Sequence, residues 1–360
     1  MRLLTPIKWL LIILMLGSLG MFGIAASAPF SGHWLPAVAG VFYPHLMLLI
    51  ISWAVLWLFL GPRYAILPGI VLIVSVPLSN RIVSVPLQKN ANEEDDIEVM
   101  SYNVRNFDLY NWSNNMESRN NMMNVFSREQ PDVLCLQEFY TEDDGEFPNL
   151  DRISNEYNYP YHDFRKTYSA RGTDHWGIAT FSKHPIVNRG KVDYENSRHH
   201  LAVYSDIVID GDTIRVYNTH LQSNHFGEQD HRFMEKFTVD QDATDVRSFW
   251  SIFTKLIRGH QKRKGQVWRL RRSMDKSPHP LILCGDFNDT PISFTYQYLA
   301  RGFNDPFRIA GTGFGQTFRG PLPLLRIDYI LVSTKFAVKD YSILPDDYSD
   351  HYPVRCRIAL

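Results

Sequence analysis

Three long apolar stretches dominate the N-terminal part of the chain, whereas short apolar and polar runs alternate through the rest of its 360 residues. The stretches lie at about residues 9–28, 37–60 and 65–80, and none contains Asp, Glu, Lys or Arg. An apolar helix of about 20 residues spans a bilayer, and a shorter one requires local thinning of the bilayer. We therefore predict a transmembrane region over residues 1–87 with three spans.

Positive charges set the predicted orientation of these spans. Arg2 and Lys8 precede the first span and Arg63 precedes the third, whereas residues 31–36 contain no Lys or Arg. The positive-inside rule then places the N-terminus in the cytoplasm and the C-terminal domain outside it. If the third stretch does not span, that domain is cytoplasmic. A signal peptide cleaved near residues 26–28 is the competing interpretation, but two further apolar stretches favour an uncleaved anchor.

A polar linker at residues 88–97 leads into a soluble domain at residues 98–360. Short β-branched runs bounded by turn residues predict many strands in this domain, one of them from residue 177 to 187. Asp210-Gly211-Asp212 is a hairpin signal. Helices are predicted at residues 115–129, 240–258 and 266–274. Many strands with mostly hairpin-like links and a few helices favour two packed sheets flanked by helices.

Composition narrows the functional classes. The formal net charge of −1 argues against a protein that coats nucleic acid by bulk charge. Cys135, Cys284 and Cys356 each lie in an apolar run, which predicts small buried side chains and not a zinc site. The basic segment at residues 255–276 fits either a patch for lipid headgroups or nucleic acid, or a solvated helix face.

Polar residues cluster at the ends of many of the predicted strands. Those that follow a strand are Asn103, Glu138, Asn218, His220, Asp286 and Asn288, whereas Asp328 lies within the run RIDYIL and Asp350 and His351 precede the final strand. Carboxylates and amides that meet at one rim of a sheet form a set of hard oxygen ligands, which suits Mg²⁺, with Mn²⁺ or Ca²⁺ as alternatives. Phosphate ester cleavage needs such a cation, a base for water and a group that stabilises the leaving oxygen.

The segments SYNVRNFD, LQE, GIATFSKHPI, YNTHLQS, GDFNDTP, RIDYILVS and SDHYPV resemble, in order and type, the endonuclease/exonuclease/phosphatase superfamily. The resemblance covers about residues 99–358. It implies an α+β fold, the four-layer α/β/β/α sandwich of deoxyribonuclease I-like proteins, here preceded by transmembrane helices. It also suggests a bacterial type of member, integral to the inner membrane with its catalytic domain outside the cytoplasm.

The resemblance implies a metal site with Glu138 as the principal Mg²⁺ ligand. Asn103 is expected to help place the metal or the phosphate, and Asp350 to be a further ligand. Asp286 is expected either to orient the attacking water or to bind a second metal.

The resemblance also implies the acid–base residues. His351, oriented by Asp328, resembles the base that activates water, since a carboxylate partner fixes the imidazole tautomer. Asn288 and His220 resemble phosphate contacts, with His220 on the leaving side and Asn218 in support.

These features predict a metal-dependent hydrolase of phosphate esters, acting on the phosphodiesters of nucleic acid or of phospholipid headgroups. Two alternatives remain open. One is a phosphomonoesterase acting on soluble molecules, and the other is a catalytically inactive binding module tethered to the membrane. The lipid bilayer is an expected partner through the N-terminal helices, and no obligate protein partner is expected.

Overall fold

The computed structural model describes residues 4–85, 96–113, 115–194, 200–224, 246–320 and 322–360. Its N-terminal region consists of helices α1 (Leu4–Ala26), α2 (Trp34–Val41), α3 (Tyr43–Leu60) and α4 (Ile66–Ser79). Three stretches are long and apolar enough to cross a membrane, namely Pro6–Phe30, Tyr43–Leu60 and Pro62–Ser79. The predicted linker lies largely outside the described residues.

The second predicted stretch is not one helix. It divides at Phe42, with α2 on one side and α3 on the other. Pro44 stands in the first turn of α3, where its missing N–H is tolerated but could not continue the hydrogen bonds of a preceding helix. The stretch that can span is therefore shorter than the prediction, and α2 is a separate helix with a buried segment at Ala37–Gly40.

The soluble domain contains two six-stranded sheets, each with one parallel pair of neighbours. The first has the order β13-β14-β2-β3-β5-β4. Its strands are β2 Ile97–Asn103, β3 Val133–Glu142, β4 Tyr161–Ala170, β5 Asp174–Ser182, β13 Ala337–Ile343 and β14 Val354–Ala359. The second has the order β10-β12-β9-β8-β7-β6. Its strands are β6 Ile186–Val192, β7 Leu201–Ile209, β8 Asp212–His220, β9 Leu281–Asp286, β10 Phe303–Asn304 and β12 Asp328–Ser333.

Helices cover the outer face of each sheet. They are α5 Asn115–Glu129, α6 Asn149–Glu156, α7 Val246–Met274 and α8 Phe294–Leu299, whereas α9 Pro306–Ala310 packs into the apolar cluster between the sheets. One apolar cluster joins α5 and α6 to the first sheet, and a second joins α7 and α8 to the second sheet. A third fills the space between the sheets and includes the buried Cys135, Cys284 and Cys356. The four-layer α/β/β/α sandwich and the buried cysteines are thus confirmed.

The predicted bounds of one strand and two helices were wrong. The run at residues 177–187 is divided between β5 and β6, which belong to different sheets. Pro185 lies at the division, and proline cannot donate to a central ladder. The two helices predicted at 240–258 and 266–274 form one helix, α7, although residues 240–245 lie outside the described part of the chain. Gly259 is accommodated there because it packs directly against Asn224.

Parallel pairing brings the functional strand ends together, whereas hairpin-like links had been expected. β2 pairs in parallel with β3, with Asn103 opposite Gln137. β8 pairs in parallel with β9, with His220 opposite Asp286. Since parallel neighbours end at the same edge, both pairs deliver polar side chains to one rim.

A small third sheet attaches the domain to the N-terminal helices. β1 (Val83–Ser84), which follows the third apolar helix, pairs with β11 (Gly313–Phe314).

Candidate active site

Most of the predicted site residues meet at the rim where β2, β8 and β9 end and β12 begins, beside the irregularity of β3 at Glu138. The residues brought together are Asn103, Glu138, His220, Asp286, Asn288, Asp328 and His351. Asp328 faces Asp286 across the antiparallel β12–β9 pair. The rim therefore forms from strand register and not from loop placement alone.

His351 and Asp328 form a buried pair. Nδ1 of His351 lies 2.9 Å from one Asp328 oxygen and 3.0 Å from the other. Thr317 holds the Asp328 backbone, because its hydroxyl oxygen accepts the N–H groups of Ile327 and Asp328. Burial alone would lower the pKa of His351, but the charges of Asp328 and Asp286 raise it well above its ordinary value.

Asn103 links two carboxylates. Its Nδ2 donates to Asp286 at 3.1 Å and to Glu138 at 3.3 Å, and its Oδ1 accepts the backbone N–H of Arg105. Burial raises the pKa of Asp286 to about 7. Burial and then the charge of Asp350 raise the pKa of Glu138. Negative charge is thus concentrated where little water is available to solvate it.

The backbone is strained at two of these residues. Glu138 has φ 48° and Asn288 has φ 52°, a left-handed conformation that costs about 1–3 kcal/mol for a residue other than glycine. The β3–β5 register shifts between Leu136 and Phe139, so Glu138 lies at an irregularity of the ladder. Asn288 binds Asp286 through both its backbone N–H and its side-chain amide, at 2.7 and 3.0 Å.

His220 closes the other side of the carboxylate group. Its Nε2 lies 3.6 Å from Glu138 and 3.7 Å from Asp286. The ring of His200 lies 5.0 Å from the His220 ring. A cleft of about 740 Å³ opens from this side of the site. Its lining includes Asn106, Tyr110, Glu138, Tyr168, Trp176, His200 and His220. The cleft has room for a phosphate and for an attached organic group.

Two predicted residues lie at the margins. Asp350 is at the rim, where Arg105 approaches its carboxylate at 3.4 Å, near enough to Glu138 to raise the pKa of that carboxyl. Asn218 is fully buried, and its Nδ2 donates to the carbonyls of Leu136 and Ala179. This geometry favours support of the β8 strand by Asn218, and its contact with substrate stays a prediction.

Residues outside the predicted set also shape the site. Gly285 has φ 143°, and a Cβ there would lie 1.9 Å from the Thr219 carbonyl oxygen, so only glycine permits this β8–β9 approach. Its position directly before Asp286 in GDFN was the available signal. Arg105 and Thr317 act on Asp350 and Asp328, and their roles depend on distant partners that no local motif reveals.

The donor set fits a hard divalent cation. Glu138 and Asp286 offer carboxylate oxygens that converge on one Asn103 amide, with Asp350 nearby. Asp286, Asp328 and His351 also form a compact group whose ligand atoms lie within 4.8 Å of one another. Because both oxygens of Asp328 already face His351, we regard Glu138 and Asp286 as the carboxylates available to the ion.

The model of the endonuclease/exonuclease/phosphatase family matches residues 100–351, which is more than half of the chain. The chain belongs to this family. Members of the endonuclease/exonuclease/phosphatase family are phosphoester hydrolases that typically use divalent metals. No curated relative matches the chain.

Solved structures share the fold. An endonuclease/exonuclease/phosphatase from Beutenbergia cavernae has a TM-score of 0.53 and 19% identity, covering 74% of this chain and 72% of that one. The catalytic domain of human Nocturnin with bound sulfate has a TM-score of 0.52 and 19% identity, with coverage of 76% and 95%. A Bacteroides thetaiotaomicron mannosyl-6-phosphatase has a TM-score of 0.51 and 17% identity, with coverage of 73% and 100%. At these identities the similarity establishes the fold alone.

Proposed function

We propose that this protein is a divalent-metal-dependent phosphodiesterase in which the His351–Asp328 pair activates water. The observation that carries the proposal is the placement of His351 between two carboxylates. Nδ1 is bound to Asp328 at 2.9 Å, and Nε2 lies 3.8 Å from Asp286, next to Glu138 and His220. A base, a cation-binding group and a second histidine therefore surround one small volume.

Glu138 and Asp286 would hold the cation, with Asp350 as a further ligand. Mg²⁺ is the preferred ion for such oxygen donors, and Mn²⁺ or Ca²⁺ would also fit. A bound ion would neutralise phosphate charge and polarise its oxygens. Asn103 would act chiefly as the hydrogen-bond donor that sets the spacing of the two carboxylates, and its direct ligation of the metal stays a prediction.

The side chains of the protein carry the proton transfers. His351 accepts a proton from water at Nε2, because Asp328 fixes the tautomer and stabilises the resulting imidazolium. A cation held at Asp286 would offset one of the charges that raise the pKa of His351, which would favour the neutral ring that a base must start from. His220 lies across the Asp286 carboxylate, where it can donate a hydrogen bond to a phosphate oxygen or to the leaving oxygen. The Asn288 amide already donates to Asp286 and to the Leu221 carbonyl, so its contact with phosphate stays a prediction.

We also propose that the N-terminal helices span a bacterial inner membrane and that the catalytic domain lies outside the cytoplasm. Lys8 stands over the Tyr64 ring at 4.7 Å and Arg63 at 4.9 Å, so basic residues gather at one end of the bundle. The domain attaches at the opposite end, through β1. Positive charge favours the cytoplasmic side. Protease added to cells with a permeabilised outer membrane should then cleave the domain, and full protection would contradict this orientation.

The full chain in detergent micelles provides the test of activity. Purified protein should hydrolyse bis(4-nitrophenyl) phosphate with Mg²⁺, lose that activity in EDTA and regain it with added Mg²⁺. Turnover of 4-nitrophenyl phosphate at a higher kcat/KM would indicate the phosphomonoesterase alternative. A protein that binds Mg²⁺ but hydrolyses neither ester would refute the proposal.

A further inference from the structure

We infer that the substrate is a phosphodiester of the membrane itself, a glycerophospholipid headgroup, because the rim of the active site is built onto the membrane helices. The inference rests on the proposed phosphodiesterase activity and names its substrate class. The end of the helical bundle nearest the domain is here called the docking end. It comprises residues 22–43 and 78–85.

The loop that follows the catalytic strand β9 enters the docking end. Ile292 is fully buried in an apolar cluster that contains Phe22, Ala39, Tyr43 and Ile82. Gly40 packs so closely that a Cβ there would lie 2.6 Å from the Ile292 carbonyl oxygen. Asn288 stands only four residues before Ile292. Even a fully extended chain would place Asn288 within about 14 Å of this cluster.

A second connection joins the membrane helices to His351. The carbonyl of Ile82 accepts the N–H of Gly315 at 3.2 Å, next to the β1–β11 pair. Three residues further, Phe318 forms a β-bridge with His351. Thr317, between them, holds the Asp328 backbone. The catalytic pair is therefore braced by a segment that is itself bonded to the exit of the third span.

A third connection runs through a buried ion pair. Arg326, two residues before Asp328, donates to the Arg81 carbonyl at 3.0 Å. The same guanidinium binds Asp305 through both of its terminal nitrogens, at 3.0 and 2.7 Å. Three separate connections of this kind fix the distance of the active site from the helical bundle and its orientation relative to the bundle. A flexible tether alone would leave both free.

Exposed apolar side chains surround the docking end. Phe30 and Val85 are 73% and 77% exposed, and Ile309 and Phe314 are 44% and 42% exposed. Apolar and aromatic residues in such a belt suit the boundary between acyl chains and headgroups. The headgroup layer extends roughly 5–8 Å beyond the hydrocarbon on each side. The site, at most about 14 Å from the docking cluster, therefore lies within the headgroup layer or no more than roughly 9 Å beyond it.

The expected reaction balances without a further reactant. The oxygen of one water molecule bonds to phosphorus, and the bond from phosphorus to the glycerol oxygen breaks. The water proton leaves through His351, and the glycerol oxygen gains a proton on the His220 side. The products are diacylglycerol, which stays in the bilayer, and the phosphorylated headgroup, which enters the aqueous phase.

The test compares a lipid and a soluble substrate for the full chain reconstituted in vesicles of phosphatidylglycerol and phosphatidylethanolamine. With Mg²⁺, phosphorus-31 spectroscopy should detect release of the phosphorylated headgroup, and added bis(4-nitrophenyl) phosphate reports the chemistry independently. Gly40→Leu should separate Ile292 from the bundle and lower lipid turnover on the order of tenfold or more. Turnover of the soluble diester should change by less than about twofold, because the catalytic groups are retained.

Gly23→Leu is the matched control, because nothing lies within 4 Å of a Cβ at that position, and it should leave both activities unchanged. If Gly40→Leu fails to fold, Ile292→Ala replaces it, since that variant removes atoms without adding any. Hydrolysis of the soluble diester or of DNA with no headgroup release would overturn the inference while leaving the phosphodiesterase intact. If neither Gly40→Leu nor Ile292→Ala lowered lipid turnover, the role of docking would be overturned. Absence of turnover on every substrate would remove the proposed function as well.

Discussion

The ring of His351 is held between two carboxylates, with Nδ1 2.9 Å from Asp328 and Nε2 3.8 Å from Asp286. One nitrogen is thus committed to a structural hydrogen bond, and the other is directed at the group of carboxylates that would hold a cation. Because burial and charge act in opposite directions on this ring, its protonation depends on what neutralises Asp286.

Substitution of the catalytic pair should reduce turnover without unfolding the protein. His351→Ala should lower kcat on bis(4-nitrophenyl) phosphate by about a hundredfold or more, because the proton acceptor is lost. Asp328→Asn should give a loss of similar order, since the amide cannot stabilise the imidazolium. Mg²⁺ affinity should stay nearly constant in His351→Ala. His184→Ala, a partly exposed histidine outside the site, is the control, and equal activity of His351→Ala and this control would remove His351 as the base.

Glu138 should determine metal affinity. Glu138→Gln keeps the shape of the side chain but removes one negative charge, so calorimetric titration should show Mg²⁺ binding weakened on the order of tenfold or more. Glu156→Gln, whose carboxylate pairs with Arg152 at the surface, should bind Mg²⁺ as the wild type does. Identical titration curves for Glu138→Gln and the wild type would exclude Glu138 as a ligand.

Two glycine substitutions should shift stability in opposite directions. Gly285→Ala places a Cβ 1.9 Å from the Thr219 carbonyl oxygen and forces alanine to adopt φ 143°. It should therefore destabilise the protein by about 3 kcal/mol or more. Gly265→Ala lies in an exposed turn of α7 with no atom within 4 Å and should stabilise by about 0.5–1 kcal/mol. Thermal unfolding of both proteins in the same detergent checks the two signs, and a tolerated Gly285→Ala would contradict the close β8–β9 approach.

The buried pair of Asp206 and Arg215 should make stability depend on pH. Burial alone would raise the pKa of Asp206, but hydrogen bonds from Arg215 and Asn188 outweigh it and lower the pKa below 3.8. Because the pKa of Asp206 is lower in the folded than in the unfolded protein, the ionised pair stabilises the fold at pH values above the unfolded pKa. That stabilisation is lost as the pH falls through the folded pKa. Asp206→Asn should therefore lower the free energy of unfolding by about 3 kcal/mol at pH 7. The difference in unfolding free energy from the wild type should shrink below about pH 4.

Unfolding profiles from pH 7 to pH 3 provide the measurement for this pair. Asp193→Asn is the control, because Asp193 is 72% exposed and should contribute less than about 0.5 kcal/mol. A deficit of Asp206→Asn that stays constant with pH would show that the charge of Asp206 does not contribute in this way.

Much of the site could be predicted because carboxylates, amides and histidines recur at the ends of several apolar strands, whereas any one of them alone is commonly a turn residue or a helix cap. Asn103 and Asp286 follow this pattern, and strand register brings them to one rim, where His351 is held by its bridge to Phe318. Asn218 follows the same pattern but points into the core, where its amide donates hydrogen bonds to the carbonyls of Leu136 and Ala179. The alternation of apolar and polar residues does not reveal which face of β8 packs against β3. A polar side chain that reaches the rim therefore cannot be distinguished, from sequence, from one that is buried in the core.

Other features could not be predicted because they depend on contacts between distant parts of the chain. Ile292 appears in the sequence as an ordinary apolar loop residue, yet it packs into the bundle of N-terminal helices. Separate helices were predicted at residues 240–258 and 266–274, but one helix continues through Gly259, where a Cβ would lie 2.3 Å from Oδ1 of Asn224. Within the basic segment, Arg263 is buried and binds Asp289, so that cation belongs to the core and not to a surface patch.

The most direct test of the central claim is a crystal structure of the full chain with Mn²⁺, located by its anomalous scattering. The account predicts an ion about 2.1 Å from a carboxylate oxygen of Glu138, in contact with Asp286 and with Nε2 of His351 facing a water ligand. An ion bound between Asp328 and His351, or bound at a site remote from Glu138, would contradict it.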